Sequence, residues 1–310
     1  MTIRHAGVLD IDTVVLPVSS ESGSGFEVRR ALPSKHRRMV GPFVLLEQMG
    51  PAVFSTGQGF DAGPHPHIGL AAVTYLIDGE IVHRDNLGKV QALRPGEVSW
   101  MTAGSGIVHS ERTPVEARSS GSNFFGIQAW VALPCRHEEV AADFAHYTEL
   151  EIPRTCARGV EFTLIPGTSD GLVSPVKTFS DLVFAEIVLT SGARYQVRSE
   201  HHERAIYVVA GEVEIVGRPG SFREAELILL EPGAEIVLKA PAFHSARLML
   251  MGGEPFSEPR HVYWNFVSSS AERIEQAKTD WRERRFPGVP GEEEFASLPA
   301  DLDQDANRSF

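Results

Sequence analysis

Only two cysteines, Cys135 and Cys156, occur in 310 residues. That excludes a disulfide framework and a cysteine-rich zinc knuckle, and leaves both as reduced thiols of core or surface. No apolar run reaches the roughly 18 residues needed to span a bilayer. The opening stretch MTIRHAGVLDIDTVVLP lacks the charged-then-apolar layout of a signal peptide, so the expected location is the cytoplasm. Basic clusters are missing as well: Lys and Arg are scattered through a chain of net charge -12, which argues against a nucleic-acid or anionic-membrane surface. An apolar content of 42% is enough for a sizeable core, in one large or two medium domains.

Glycine and proline punctuate the chain throughout, and the segments between them are short, often alternating, and rich in Val, Ile, Leu, Phe and Tyr, which reads as all-β. VTYLIDGEIVHRD reads as a hairpin turning at Asp78-Gly79, and further strands, KVQALR and EVSWMTAG, flank a turn at Pro95-Gly96. The pieces then recur in the same order. AIYVVAGEVEIVG answers the first hairpin, with Tyr207, Gly211 and Glu212 for Tyr75, Gly79 and Glu80. EPGAEIVLKAPAFHS answers RPGEVSWMTAGSGIVHS, with Pro232-Gly233 for Pro95-Gly96 and His244 for His109. A repeat of about 130 residues made of such strands predicts two tandem jelly-roll β-barrels. The expected domains are residues 1–135 and 136–310, with 134–160 a polar linker carrying a short helix. Ser269-Ser270-Ala271-Glu272 reads as a capping box, and Ile274, Ala277 and Trp281 follow at helical spacing, so one amphipathic helix closes the fold before Phe286-Pro287-Gly288. The acidic stretch GEEEFASLPADLDQDANRSF is expected to be loosely held or draped on the surface.

Side chains two apart on a strand share a face, so His65 and His67 in GPHPHIG point together, as do His109 and Glu111 in GIVHSE. If the two segments are neighbouring strands facing a barrel interior, three imidazoles and one carboxylate converge as a metal site with open coordination positions. Pro64 and Pro66 hold their segment extended and suit a rim or edge. Gly104 and Gly106 let the backbone bend or crowd in beside the site. Two other groups compete less well. His201-His202-Glu203 with His244 suggests a second metal, but Gly79 lies 12 residues after His67 whereas 12 before Gly211 is Ser199; a polar rim or partner surface fits better. His83, Arg84 and Asp85 are expected to face solvent or pair with one another. Trp100 and Met101 alternate, so one faces the pocket and one the opposite side, both as packing.

The HPH segment with its following apolar strand and DGE resembles the first cupin motif, and WMTAGSGIVHSE resembles the second motif of the pirin family. VRRALPSKHRRMVGPFVLLEQMGP and GGEPFSEPRHVYWNFVSSSAERIEQAKTDW are similar to pirins too, so the resemblance covers nearly the whole chain. It implies a bicupin whose N-terminal barrel holds one divalent metal, with iron(II) first and zinc, nickel, cobalt, manganese or copper also compatible, on His65, His67, His109 and Glu111. For some pirins it implies quercetin 2,3-dioxygenase activity, in which Glu111 would be ligand, catalytic base or both. For others it implies a redox-responsive protein that docks on a transcription factor or metabolic enzyme. Ile68, Ala71 and Ser105 depart from residues common in pirins and are expected near the mouth of the site, where they would alter the substrate preference. The expected partner is a small aromatic substrate or a protein, with neither membrane nor nucleic acid involved and a monomer as the default state. A cupin isomerase or lyase acting on a small enolisable acid is the third reading, distinguishable by activity without oxygen.

Overall fold

The computed structural model describes residues 10–21 and 25–299. Its contacts divide into two units, described separately. In the first, alternating apolar sequence forms two main sheets from the strands β1 (Val18–Glu21), β2 (Glu27–Leu32), β3 (Phe43–Phe54), β4 (Asp61–His67), β5 (Leu70–Asp78), β6 (Ile81–Asp85), β7 (Val90–Leu93), β8 (Val98–Thr102), β9 (Ile107–Arg112), β10 (Ser122–Ala132) and β11 (Asp143–Tyr147). Seven form one sheet in the order β11-β8-β5-β10-β3-β2-β1, and four form another in the order β4-β9-β6-β7. Phe54, Leu76, Ile81, Leu93 and Phe124 from both sheets share one buried cluster with Phe26 and Phe60, which lie just before β2 and β4, and Phe60 stacks on Phe124 at 4.8 Å.

The expected hairpin at Asp78-Gly79 is instead a passage between sheets. β5 pairs with β8 and β10, whereas β6 pairs with β9 and β7. The glycine is required by crowding: at φ +90°, a Cβ on Gly79 would lie 2.4 Å from the Asn123 carbonyl oxygen. Its counterpart Gly211, at φ +80°, would meet the Ser245 carbonyl oxygen at 2.1 Å. Period-two patterning located the strands, but the choice of partner strand is not a local property. The turns at Pro95-Gly96 and Pro232-Gly233 form as expected, each closed by a backbone bond (Glu97 N to Arg94 O, 3.1 Å; Ala234 N to Glu231 O, 3.1 Å).

The second unit comprises described residues 10–17, 34–41 and 153–255. Its long strands Val160–Ser169, Leu182–Leu189, Glu203–Ile215 and Ala246–Gly253 are joined by antiparallel ladders. Glu203–Ile215 runs through the Gly211 position unbroken. Its first half pairs with Leu227–Leu230, while its end meets Ile236–Lys239. Phe162, Leu164, Ile187, Ile206, Val208, Leu248 and Leu250 fill this barrel with apolar side chains.

These units differ from a cut at 135. Residues 136–152 stay with the first unit, because β11 extends its larger sheet along β8; the expected linker helix is one 3-10 turn, Cys135–His137. Residues 256–299 also return to the first unit. The C-terminal helix Ala271–Arg282 is capped by Ser270, whose side chain accepts from Arg273 N, one residue later than the expected box. Ile274, Ala277 and Trp281 are buried with Ile68, Val108 and Phe266. Beyond the helix, the chain is held rather than loose as far as it is described. Phe295 stacks on Trp281 at 4.3 Å, and Arg112 binds Glu292 and Glu294 at 2.9 and 2.8 Å; the rest of the acidic tail, from 300, lies outside the described residues. No helix among the described residues is long and apolar enough to cross a membrane.

Candidate metal centre

The two motif segments are adjacent strands. β4 and β9 run antiparallel with His65 directly opposite His109 and Ile107 opposite His67, and the register shifts between His109 and Glu111. β4 is the edge strand of its sheet, so the missing donors of Pro64 and Pro66 are tolerated there. On its other side β9 pairs with β6, setting His109 against Asp85 and Glu111 against His83.

His65, His67 and His109 each offer a ring nitrogen within 4.8 Å of the others, and Nε2 of His67 lies 3.1 Å from Nε2 of His109. His67 and His109 are 1% and 3% exposed, and His65 is half-buried. Burial comes first among the causes that lower all three pKa values, to well below the ordinary range for His67 and His109; charge on neighbouring imidazoles adds to it. The rings are therefore neutral at pH 7. His65 Nδ1 lies 2.7 Å from the Gly63 carbonyl, which can only accept, so the proton sits on Nδ1 and Nε2 keeps its lone pair. Lone pairs crowded together in a dry site are a donor set for a divalent transition metal, and these residues fit one.

Glu111 joins the cluster through His109: its carboxylate forms a second group with His109 and His83, again within 4.8 Å. Thr74 on β5 donates to Oε1 at 3.2 Å, and Gln128 on β10 donates to Oε2 at 3.2 Å. Burial raises the Glu111 pKa, while the charge of His83 and these two hydrogen bonds oppose the rise.

His83 and Asp85 are paired, at 3.0 Å, but neither faces solvent: they are 3% and 0% exposed. His83 stacks on Phe144 at 4.0 Å between ring centroids and directs Nδ1 at Nδ1 of His109, 3.3 Å away. The parity of β6 carried the signal, since Ile81, His83 and Asp85 share the buried face and Arg84 is exposed. Thr74, Gln128 and Trp130, whose ring meets that of His67 edge-on at 5.2 Å, had no local signal. Trp100 and Met101 are both buried; Met101, opposite Ala72, shares the face of Thr74, and Trp100, opposite Val73, takes the other. Of the three departures expected at the mouth, Ile68 and Ala71 are instead buried at 1% and 0% exposure, Ile68 behind the strands against Phe266. Ser105 is exposed, and its carbonyl accepts from Arg273 at 2.8 Å.

In the second barrel His201 is buried with Nε2 on the Thr168 carbonyl at 2.9 Å, while His202 and His244 are exposed. Among the described residues, the groups able to hold a metal lie in the first barrel.

Two jelly-roll units, one lined by an imidazole cluster and the other filled with apolar side chains, define a bicupin with one candidate metal centre. The chain belongs to the pirin family: the Pirin model matches residues 25–131 and the Pirin C-terminal cupin domain matches residues 184–287. A pirin-like protein of Caulobacter vibrioides is 46% identical over 264 residues, covering 84% of this chain and 90% of that one. The crystal structure of quercetin 2,3-dioxygenase from Acinetobacter baumannii superposes with a TM-score of 0.86 at 32% identity, covering 96% of this chain and 97% of that one. A bacterial pirin from Escherichia coli, solved in complex with nickel(II), shares the fold at a TM-score of 0.61 and 19% identity, covering 79% of this chain and 99% of that one.

Proposed function

We propose that the protein is a metal-dependent dioxygenase of the quercetin 2,3-dioxygenase type, acting on flavonol-like phenols, with iron(II) held by His65, His67, His109 and Glu111. One observation carries this reading: three imidazoles brought within reach of one another, with a buried carboxylate beside one of them. The name of the Acinetobacter relative supports the substrate class. Nickel in the Escherichia relative agrees with a donor set that accepts several metals.

The chain's own groups divide the work. When bound, the metal would supply Lewis acidity toward a deprotonated phenol and redox access to dioxygen, which side chains lack. Glu111, buried beside the cluster, accepts the substrate's hydroxyl proton. Thr74 and Gln128 hold its two oxygens so that the carboxylate meets the proton in a fixed orientation. Ile107, Trp130 and Met101, all buried, keep the surroundings dry and limit competing hydrolysis.

The test is direct. Protein loaded anaerobically with iron(II) is mixed with quercetin and oxygen, and the flavonol absorbance is followed. We expect about one metal per chain and turnover well above that of free iron. Absorbance decay no faster than with free metal would remove the dioxygenase reading.

A further inference from the structure

Behind the cluster runs a line of buried groups that the proposed reaction does not use directly. Asp85 Oδ1 accepts two backbone N–H groups, from Leu87 at 2.9 Å and Lys89 at 3.0 Å. Its Oδ2 lies 3.0 Å from Nε2 of His83. Nδ1 of His83 lies 3.3 Å from Nδ1 of His109, and Nε2 of His109 faces the cluster. The Asp85 pKa is lowered overall: burial pushes it up, but hydrogen bonds from the His83 ring and the two backbone amides outweigh that. The group is therefore a carboxylate and can only accept.

We propose that Asp85 and His83 are positioning residues that fix the tautomer of His109, an inference that rests on the metal reading above. A metal on Nε2 of His109 requires the proton on Nδ1. That proton needs an acceptor, so His83 Nδ1 must carry the lone pair and His83 Nε2 the proton. Residue 85 must then accept, and the carboxylate does. Because the Asp85 carboxylate can only accept, the line runs this way without metal too: His83 donates from Nε2, His109 donates from Nδ1, and Nε2 of His109 is left to accept from Nε2 of His67. The carboxylate thus sets in advance the direction that a metal on His109 needs.

Asp85→Asn tests that direction. Its Oδ1 stays committed to the Leu87 and Lys89 amides, so its NH2 group is turned toward His83. In metal-free protein the line reverses, with the introduced amide donating to His83 and His83 to His109. With metal bound, donor meets donor. Zinc affinity, measured by competition with a chelator, is expected to fall about 10–100-fold, while the melting temperature of the metal-free variant stays near that of wild type. A role confined to shaping the turn would not produce that split. In a His83→Phe background, which keeps the stacking on Phe144 but removes both nitrogens, the Asp85→Asn change is expected to add no further loss. In zinc-loaded wild type, nitrogen NMR should find the His83 proton on Nε2.

The proposal is overturned if Asp85→Asn binds zinc as tightly as wild type, if the loss persists undiminished in the His83→Phe background, or if the His83 proton is on Nδ1. Should Asp85→Asn not fold, His83→Phe alone decides: zinc affinity equal to wild type overturns the relay. Wild-type protein that takes up no zinc overturns the metal reading itself, and the line then prepares His109 for no metal.

Discussion

At the scale of single residues, the chemistry of the first barrel depends on keeping four titratable groups in unusual states. His65, His67 and His109 have pKa values below the ordinary 6.5. Below about pH 6.5 the unfolded chain therefore binds protons on these rings that the folded chain refuses, and stability falls as pH drops through that window. Glu111, raised above 4.5, shifts the opposite way and offsets part of the loss. Metal-free protein should melt at a lower temperature at pH 5.5 than at pH 7.5, and His109→Phe should flatten the slope; a melting temperature independent of pH would contradict the neutral assignment. Gln128→Ala leaves one buried Glu111 oxygen without its donor and should cost about 1–3 kcal/mol in denaturant titration of the metal-free protein. That His65 shares a face with His67, and His109 with Glu111, was readable from spacing, because alternation on a strand sets which side chains point together. Gln128 and Thr74 were not: they lie 17 and 37 residues from Glu111 in sequence, and only strand pairing brings them to it.

At the scale of elements, the repeated Gly-Glu pair shows how a correct local signal can yield a wrong partner. Both glycines have positive φ, as a tight turn would demand, yet each marks where the chain leaves one set of ladders for another and passes close to a carbonyl on a neighbouring segment. Gly79→Ala must strain the backbone and displace the Asn123 carbonyl. We expect a loss of about 1–3 kcal/mol in equilibrium unfolding. A hairpin at this point, with no segment packed against the turn, would leave the variant close to wild type apart from the φ penalty. The proline-rich β4 segment was readable as an edge because proline cannot complete a ladder; that β9 is its neighbour followed only from the assumption that the two motifs meet.

At the scale of the whole molecule, the order of the sequence does not match the order of the folding units. The repeat suggested a cut near 135, but β11 returns to the first unit by extending its larger sheet along β8, and the C-terminal helix returns because the outer faces of the ligand strands are apolar and need cover. Ile68 and Val108, next to His67 and His109 in sequence, are buried in one cluster with Ile274, Ala277 and Trp281. Trp281 is 3% exposed, and its Nε1 donates to the Ala296 carbonyl at 2.8 Å, so it ties helix, tail and strands together. Trp281→Ala should cost about 3–5 kcal/mol, the usual penalty of a large aromatic cavity. Because Val108 and Ile68 lie on the same backbone segments as His109 and His67, the loss of their cover should also loosen the imidazoles and weaken zinc binding at a temperature where the variant remains folded. Unfolding measured with and without zinc separates the two effects. Stabilisation by saturating zinc grows as the logarithm of the ligand excess over Kd, about 2.7 kcal/mol at a hundredfold excess, so a smaller zinc-induced gain in the variant reports weaker binding. An undiminished gain would show that the helix supports the fold while the ligand strands hold their geometry without it.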